Sequence, residues 1–200
     1  GKALQRRLAK EGITTVAQLQ AIDETDLIAR YGAMGQRMAQ FVRGDDPRSI
    51  KANRPTKSIS SETTFQHDIT NGEELRKILG RQAERVARRI KTTELAGTTV
   101  VLKLRRADFR ILTRSRRLPD PTRLADNIFR QADELLAKEI NGTAYRLLGV
   151  GLSGLVDAAD ADPLSLADPG GGRRADAERA LDHVRERFGV DVIGKGRGLR

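Results

Sequence analysis

The chain has 200 residues, with 37 Lys and Arg against 27 Asp and Glu, a formal net charge of +10, 38% hydrophobic residues and no Cys or Trp. That length holds one large domain or two small ones around a real core, while the lack of Cys excludes disulfides, thiolate metal sites and Cys nucleophiles and points to a reducing, cytoplasmic compartment. No apolar run approaches the ~20 residues of a membrane span, the first residues have no signal-peptide apolar region, and without an initiator Met the chain is expected to be a fragment.

Residues 1–42 read as a small helical subdomain. Leu4 and Leu8 share one helical face, Gly12 ends that helix as a left-handed cap, Thr14 is placed to cap a short helix holding Val16 and Leu19, and a third helix follows Asp23 with Leu27 and Ile28. Residues 43–56 have no periodicity and suit an extended linker. From 57 the period changes. Ile59, Ser61, Thr63 and Phe65 alternate with polar residues as a strand does. Leu75, Ile78, Leu79, Val86 and Ile90 mark an amphipathic helix over 72–93. Residues 98–106 put Val100, Leu102 and Leu104 on one side of a strand and Lys103 and Arg105 on the other. Residues 109–118 put Phe109, Ile111 and Thr113 on one side and Arg110, Arg114 and Arg116 on the other, with Ala107-Asp108 closing a hairpin. A second helix spans 121–139 (Leu124, Ile128, Leu135, Leu136), and a last strand spans 143–156. The order β-α-β-β-α-β predicts an α+β fold: a four-stranded sheet with two helices on one face. Residues 157–174, with four Asp and three consecutive Gly, suit a disordered linker. A short helix over 175–188 (Ala177, Leu181, Val184, Phe188) and a basic tail to 200 complete the chain.

The charge is uneven. Residues 1–56 carry 10 basic and 6 acidic groups, residues 57–156 carry 19 and 12, and residues 157–200 carry 8 and 9. Seven cations fall within 103–117. Of the cations, 28 are Arg and 9 Lys; the guanidinium fork grips phosphate in two places, so this bias favours a phosphate-rich partner. We expect an open sheet face bearing Lys103, Arg105, Arg110, Arg114 and Arg116 to dock nucleic acid, the alternative being a merely solvated face. Two-metal phosphoryl transfer needs clustered carboxylates, and the acids here are scattered. His67 and His183 are far apart, and Gly170-Gly171-Gly172 lacks the Lys-Ser/Thr of a phosphate loop. No catalytic or metal-ligating residue is assigned.

Lys57-Ser58-Ile59-Ser60-Ser61-Glu62-Thr63-Thr64-Phe65, with Asp68 behind it, resembles the KSIGxExTF…D segment of the Y-family translesion DNA polymerases. The run Arg43-Gly44-Asp45-Asp46-Pro47-Arg48 is similar to the one before their linker. Val101 to Phe109, followed by Leu112-Thr113-Arg114-Ser115, resembles their TVTLKLKxxDFxxxTRS hairpin, and Tyr145 to Ser153 resembles their RLLGVGLS strand. The DinB, or DNA polymerase IV, branch matches best, over about residues 43–156.

The resemblance implies that 57–156 is the little finger, that 1–42 is part of the thumb, and that Gly1-Lys2 ends a helix-hairpin-helix turn. It implies DNA contacts at Gly1, Lys2, Lys57, Ser58, Ser60, Glu62, Thr64 and Ser115 beside the five cations already named. Ser60 stands where the family carries Gly. A whole protein of this kind would be a DNA-directed DNA polymerase in lesion bypass and repair, using Mg²⁺, while this piece would be inactive alone. Primer–template DNA and the sliding clamp are the implied partners, a monomer is expected, and Leu164 and Leu166 are the clamp-binding candidates. Two rivals stand beside this: a catalytically inactive Y-family-like adaptor, and a stand-alone basic RNA-binding module, which exposed stacking aromatics would favour.

Overall fold

In a computed structural model the described residues are 1–49, 55–163, 170–189, 192–194 and 196. They form two compact units, Gly1–Arg54 and Pro55–Arg200.

The first unit holds four helices, one more than the periodicity separates: α1 (Lys2–Lys10), α2 (Val16–Gln20), α3 (Glu24–Tyr31) and α4 (Ala33–Val42). Local chemistry sets their ends. Thr15, not Thr14, caps α2, and its hydroxyl accepts from the Gln18 amide in a capping box. Asp23 caps α3 by accepting from the Thr25 amide at 2.8 Å. Gly32, at φ +60°, turns α3 directly into α4. Leu19, Leu27, Tyr31 and Met38 form the core. The Tyr31 hydroxyl donates to Glu11 at 2.6 Å, and that bond pushes the phenol above its ordinary range. Part of the expected linker folds back on this unit: Arg48 stacks on the Phe41 ring at 4.7 Å and pairs with Asp46 at 2.6 Å. Residues 50–54 lie outside the described residues.

The second unit contains β1 (Ser58–Ile69), α5 (Gly72–Lys91), β2 (Leu95–Arg106), β3 (Ile111–Thr122), α6 (Ala125–Ala137), β4 (Tyr145–Asp157) and α7 (Gly171–Phe188), with one 3₁₀ turn at Ala158–Asp160. The sheet order is β1-β4-β2-β3, with every neighbouring pair antiparallel. Each βαβ crossover therefore straddles a third strand: β4 lies between β1 and β2, and β2 between β3 and β4. Helices α5 and α6 cover one face. Leu75, Leu79, Val86 and Ile90 of α5 and Ile128 and Leu136 of α6 pack on Val100, Leu102, Leu104, Leu148 and Leu152. Truncating one such Leu to Ala would cost about 2–5 kcal/mol.

The described residues of the C-terminal part depart from expectation in two places, and 164–169 lie outside them. The stretch from 157 is ordered over its described residues: Asp162 accepts from the Thr122 hydroxyl, from the Arg123 amide at 3.0 Å and from the Asn127 side chain at 3.0 Å. Composition cannot reveal that a distant loop needs that carboxylate. Helix α7 covers its expected apolar stripe only in the middle, where Leu181 and Val184 are half-buried. Ala177 and Phe188 are exposed, while Ala175, Glu178 and Arg185 are buried. The Glu178 carboxylate accepts from the Ala125 amide at 2.7 Å and from Lys91 at 2.6 Å. It thus supplies the N-terminal cap that Leu124 cannot. Arg185 pairs with Glu84 at 2.8 Å. The helix docks through buried charge pairs, which hydrophobic periodicity does not register.

Candidate nucleic-acid interface

The sheet face opposite α5 and α6 is uncovered by any described helix. Antiparallel register puts cross-strand partners on the same face, so its composition follows from the pairing. Glu62 partners Gly149, and Gly149 partners Lys103; Ser60 lies beside Gly151 and Val101; Ser58 lies beside Ser153 and Thr99; Thr64 lies beside Leu147 and Arg105. On the far strand Ile111, Thr113, Ser115 and Arg117 continue these rows. The face is a field of hydroxyls with three cations, Lys103, Arg105 and Arg117, and one carboxylate, Glu62. Lys57 stands exposed just before β1.

Two glycines open its centre. A Cβ on Gly149 would lie 2.6 Å from the Glu62 Cβ, and one on Gly151 would lie 2.7 Å from the Ser60 Cβ. Side chains at these two β4 positions are therefore excluded, leaving a shallow groove of about 310 Å³ lined by Ser60, Glu62, Lys103, Thr113, Gly149 and Gly151. Over this gap Lys103 donates to Glu62 at 2.7 Å.

Part of the expected site lies elsewhere. Arg114 partners Leu102 and Arg116 partners Val100, both core residues, so these two arginines belong to the helix-covered face. There Arg114 pairs with Glu139 at 2.7 Å, and Arg116 pairs with Gln131 at 2.8 Å and with Glu134. The strand's alternation is as expected, but its hand is reversed. Strand β3 lies at the sheet edge, where long side chains on the inner face can still reach water, so a cationic row there is compatible with either face. Arg110 lies in the turn before β3, beside Asp108 at 3.4 Å. Ser115 is on the open face. Gly1 and Lys2, at the start of α1 in the first unit, are exposed. Leu164 and Leu166 lie outside the described residues.

Sequence reasoning missed Arg117, whose exposure required the correct hand of β3, and misplaced Phe109. Expected on one side of the strand with Ile111 and Thr113, it sits instead in the turn before β3, 64% exposed. It sits at φ +66°, left-handed backbone that costs an L-residue roughly 1–2 kcal/mol. The Asp-Phe sequence at the hairpin tip was the available signal.

No cluster of three or more His, Cys, Asp or Glu that could hold a metal occurs among the described residues, and no helix among them is long and apolar enough to cross a membrane. The groove offers charge, hydroxyl donors and a backbone open to close approach.

Residues 56–166 match the family described as the impB/mucB/samB family C-terminal domain. The chain is 46% identical over 196 residues to DNA polymerase IV 1 of Mesorhizobium japonicum, covering 98% of this chain and 45% of that protein. It is 45% identical over 196 residues to DNA polymerase IV of Brucella melitensis biotype 1, covering 98% and 44%. A solved Y-family DNA polymerase chimera shares its fold, with a TM-score of 0.57 and 17% identity over 78% of this chain and 45% of that one. The chain spans about half the length of the curated relatives it matches.

Proposed function

We propose, on the premise that this chain belongs to the impB/mucB/samB family as a DinB-type Y-family polymerase sequence, that the open face of its sheet holds primer–template DNA for lesion bypass. The observation that carries this reading is the composition of that face. Lys103, Arg105 and Arg117 stand among hydroxyls around a glycine-floored groove. Such groups contact phosphate and sugar, which positions a duplex without reading its sequence, and a polymerase that copies past varied lesions requires that indifference. In the first unit Gly1 and Lys2 offer a backbone amide and a cation for a further phosphate.

The DNA-directed DNA polymerase activity, its Mg²⁺ and the repair role are proposed for a full-length protein of this family. No catalytic step is assigned to the residues described here, which lack the carboxylate cluster that two-metal phosphoryl transfer needs, and residues 1–200 alone are expected to be inactive. The sliding clamp is proposed as a second partner. Titrating the clamp with peptide 158–170, which contains Leu164 and Leu166, tests it.

The DNA reading is tested by comparing affinity for primer–template DNA with affinity for structured RNA of equal length. Preference for the DNA supports it. Arg105→Ala and Arg117→Ala should each weaken DNA binding alike on unrelated sequences and flatten the log–log salt dependence by about 0.9. Sequence-dependent losses, or preference for RNA, would refute it.

A further inference from the structure

The β2–β3 turn carries a feature that neither folding nor a phosphate grip explains. Phe109 closes the turn, its amide donating to the Arg106 carbonyl at 2.9 Å, yet its ring lies 64% exposed on positive-φ backbone. Six of the eight positive-φ residues among those described are Gly, the residue that takes this conformation freely. A Gly here would serve the turn better, and a polar residue would suit the exposure better. The ring is nevertheless held in place: the Arg146 guanidinium stacks over it at 4.1 Å. Next to it in the chain is Arg110, its side chain 80% exposed and 3.4 Å from Asp108. Ile111, 56% exposed, extends the apolar surface onto the open sheet face beside Arg105.

An exposed, immobilised aromatic ring flanked by guanidinium groups suits a flat apolar ligand that carries negative charge. We propose that Phe109 is a stacking platform for an unpaired base of single-stranded DNA, with Arg110 and Arg146 facing the adjoining phosphates. This extends the reading of the open face as a DNA surface and rests on it. Within a duplex both faces of each base are already stacked, so the platform selects unpaired strand. Every base has a π-face, so the contact is indifferent to sequence. The charge of Arg110 and Arg146 favours this occupant over an apolar protein surface, which would have to desolvate both.

The test uses residues 1–200 with a single-stranded oligodeoxynucleotide containing 2-aminopurine, whose emission falls on stacking, and a blunt duplex of equal length. Phe109→Ala should lower single-strand affinity by about 5- to 150-fold and abolish the quenching, while leaving blunt-duplex affinity unchanged. Phe109→Trp should retain both signals. Phe109→Gly, which relieves the backbone, should melt no lower than the parent and bind single strand as poorly as Phe109→Ala, which separates stacking from folding. Equal losses on both DNAs, or no loss on either, would overturn the platform alone. Binding of neither DNA by the parent chain would overturn the DNA reading beneath it.

Discussion

Replacing Glu62 by Gln should tighten DNA binding, an unusual outcome for a change within a binding surface. Glu62, Gly149 and Lys103 form one row across β1, β4 and β2. Because Gly149 has no side chain, the flanking residues meet above it at 2.7 Å. Their side chains are 46% and 35% exposed, and such a pair contributes at most about 1 kcal/mol to stability, so Glu62→Gln should fold normally. Its electrostatic effect is larger. A Lys already neutralised by a carboxylate displaces no counterion when phosphate arrives, whereas a released Lys103 neutralises one phosphate. That adds about 0.9 to the log–log salt slope, roughly eightfold in affinity at ~0.1 M salt. Fluorescence anisotropy of a labelled primer–template duplex across a salt series measures both quantities. Glu62→Gln should bind more tightly and with a steeper slope, and Glu62→Gln combined with Lys103→Gln should lose both gains. An unchanged slope in the single variant, or a gain that persists in the double variant, would refute the idea that the pair restrains the grip.

Other perturbations test the fold beneath the site. Glu178→Ala should destabilise the second unit by about 1–3 kcal/mol in denaturant unfolding, because it leaves the buried Ala125 amide at the start of α6 uncapped, while Lys91 keeps Asp182 at 2.6 Å. Gly35→Ala should destabilise the first unit by about 1–3 kcal/mol in the same assay, since the new Cβ would fall 1.9 Å from the Leu27 carbonyl oxygen. Asp23 makes that unit acid-sensitive. The Thr25 hydroxyl, and then its amide, hold the Asp23 carboxyl below its ordinary value of 3.8. A depressed carboxyl contributes stability that is complete above the unfolded value and lost as pH falls through the folded one. Helical circular dichroism should therefore decline below about pH 4, and Asp23→Asn should remove that part of the decline.

Much of the fold was legible in the chain because its signals are local. The alternation at Val100, Leu102 and Leu104 and the spacing of Leu75, Ile78, Leu79, Val86 and Ile90 place each element and its buried side. Asp23 and Gly12 announce their helix ends within a few residues. Where two local patterns compete, local reading falters. Helices α3 and α4 run together because Gly32 joins them without a loop. Helix α7 buries Glu178 and Arg185, which periodicity assigns to solvent.

By itself, the sequence determined the fold class, the family, the surplus of cations and the lack of Cys. Only the tertiary structure decided which cations share a face. Alternation along β3 separates Arg114 from Thr113, but it cannot tell which set points toward the helices, because that hand depends on pairing with β2. A one-residue change of register exchanges the two sets. The register seats Arg114 and Arg116 over Glu139 and Glu134 on the helix side. It leaves Arg117, Lys103 and Arg105 on the open face. The same pairing brings Glu62 to Lys103 across 41 residues of chain, a contact that no local pattern encodes.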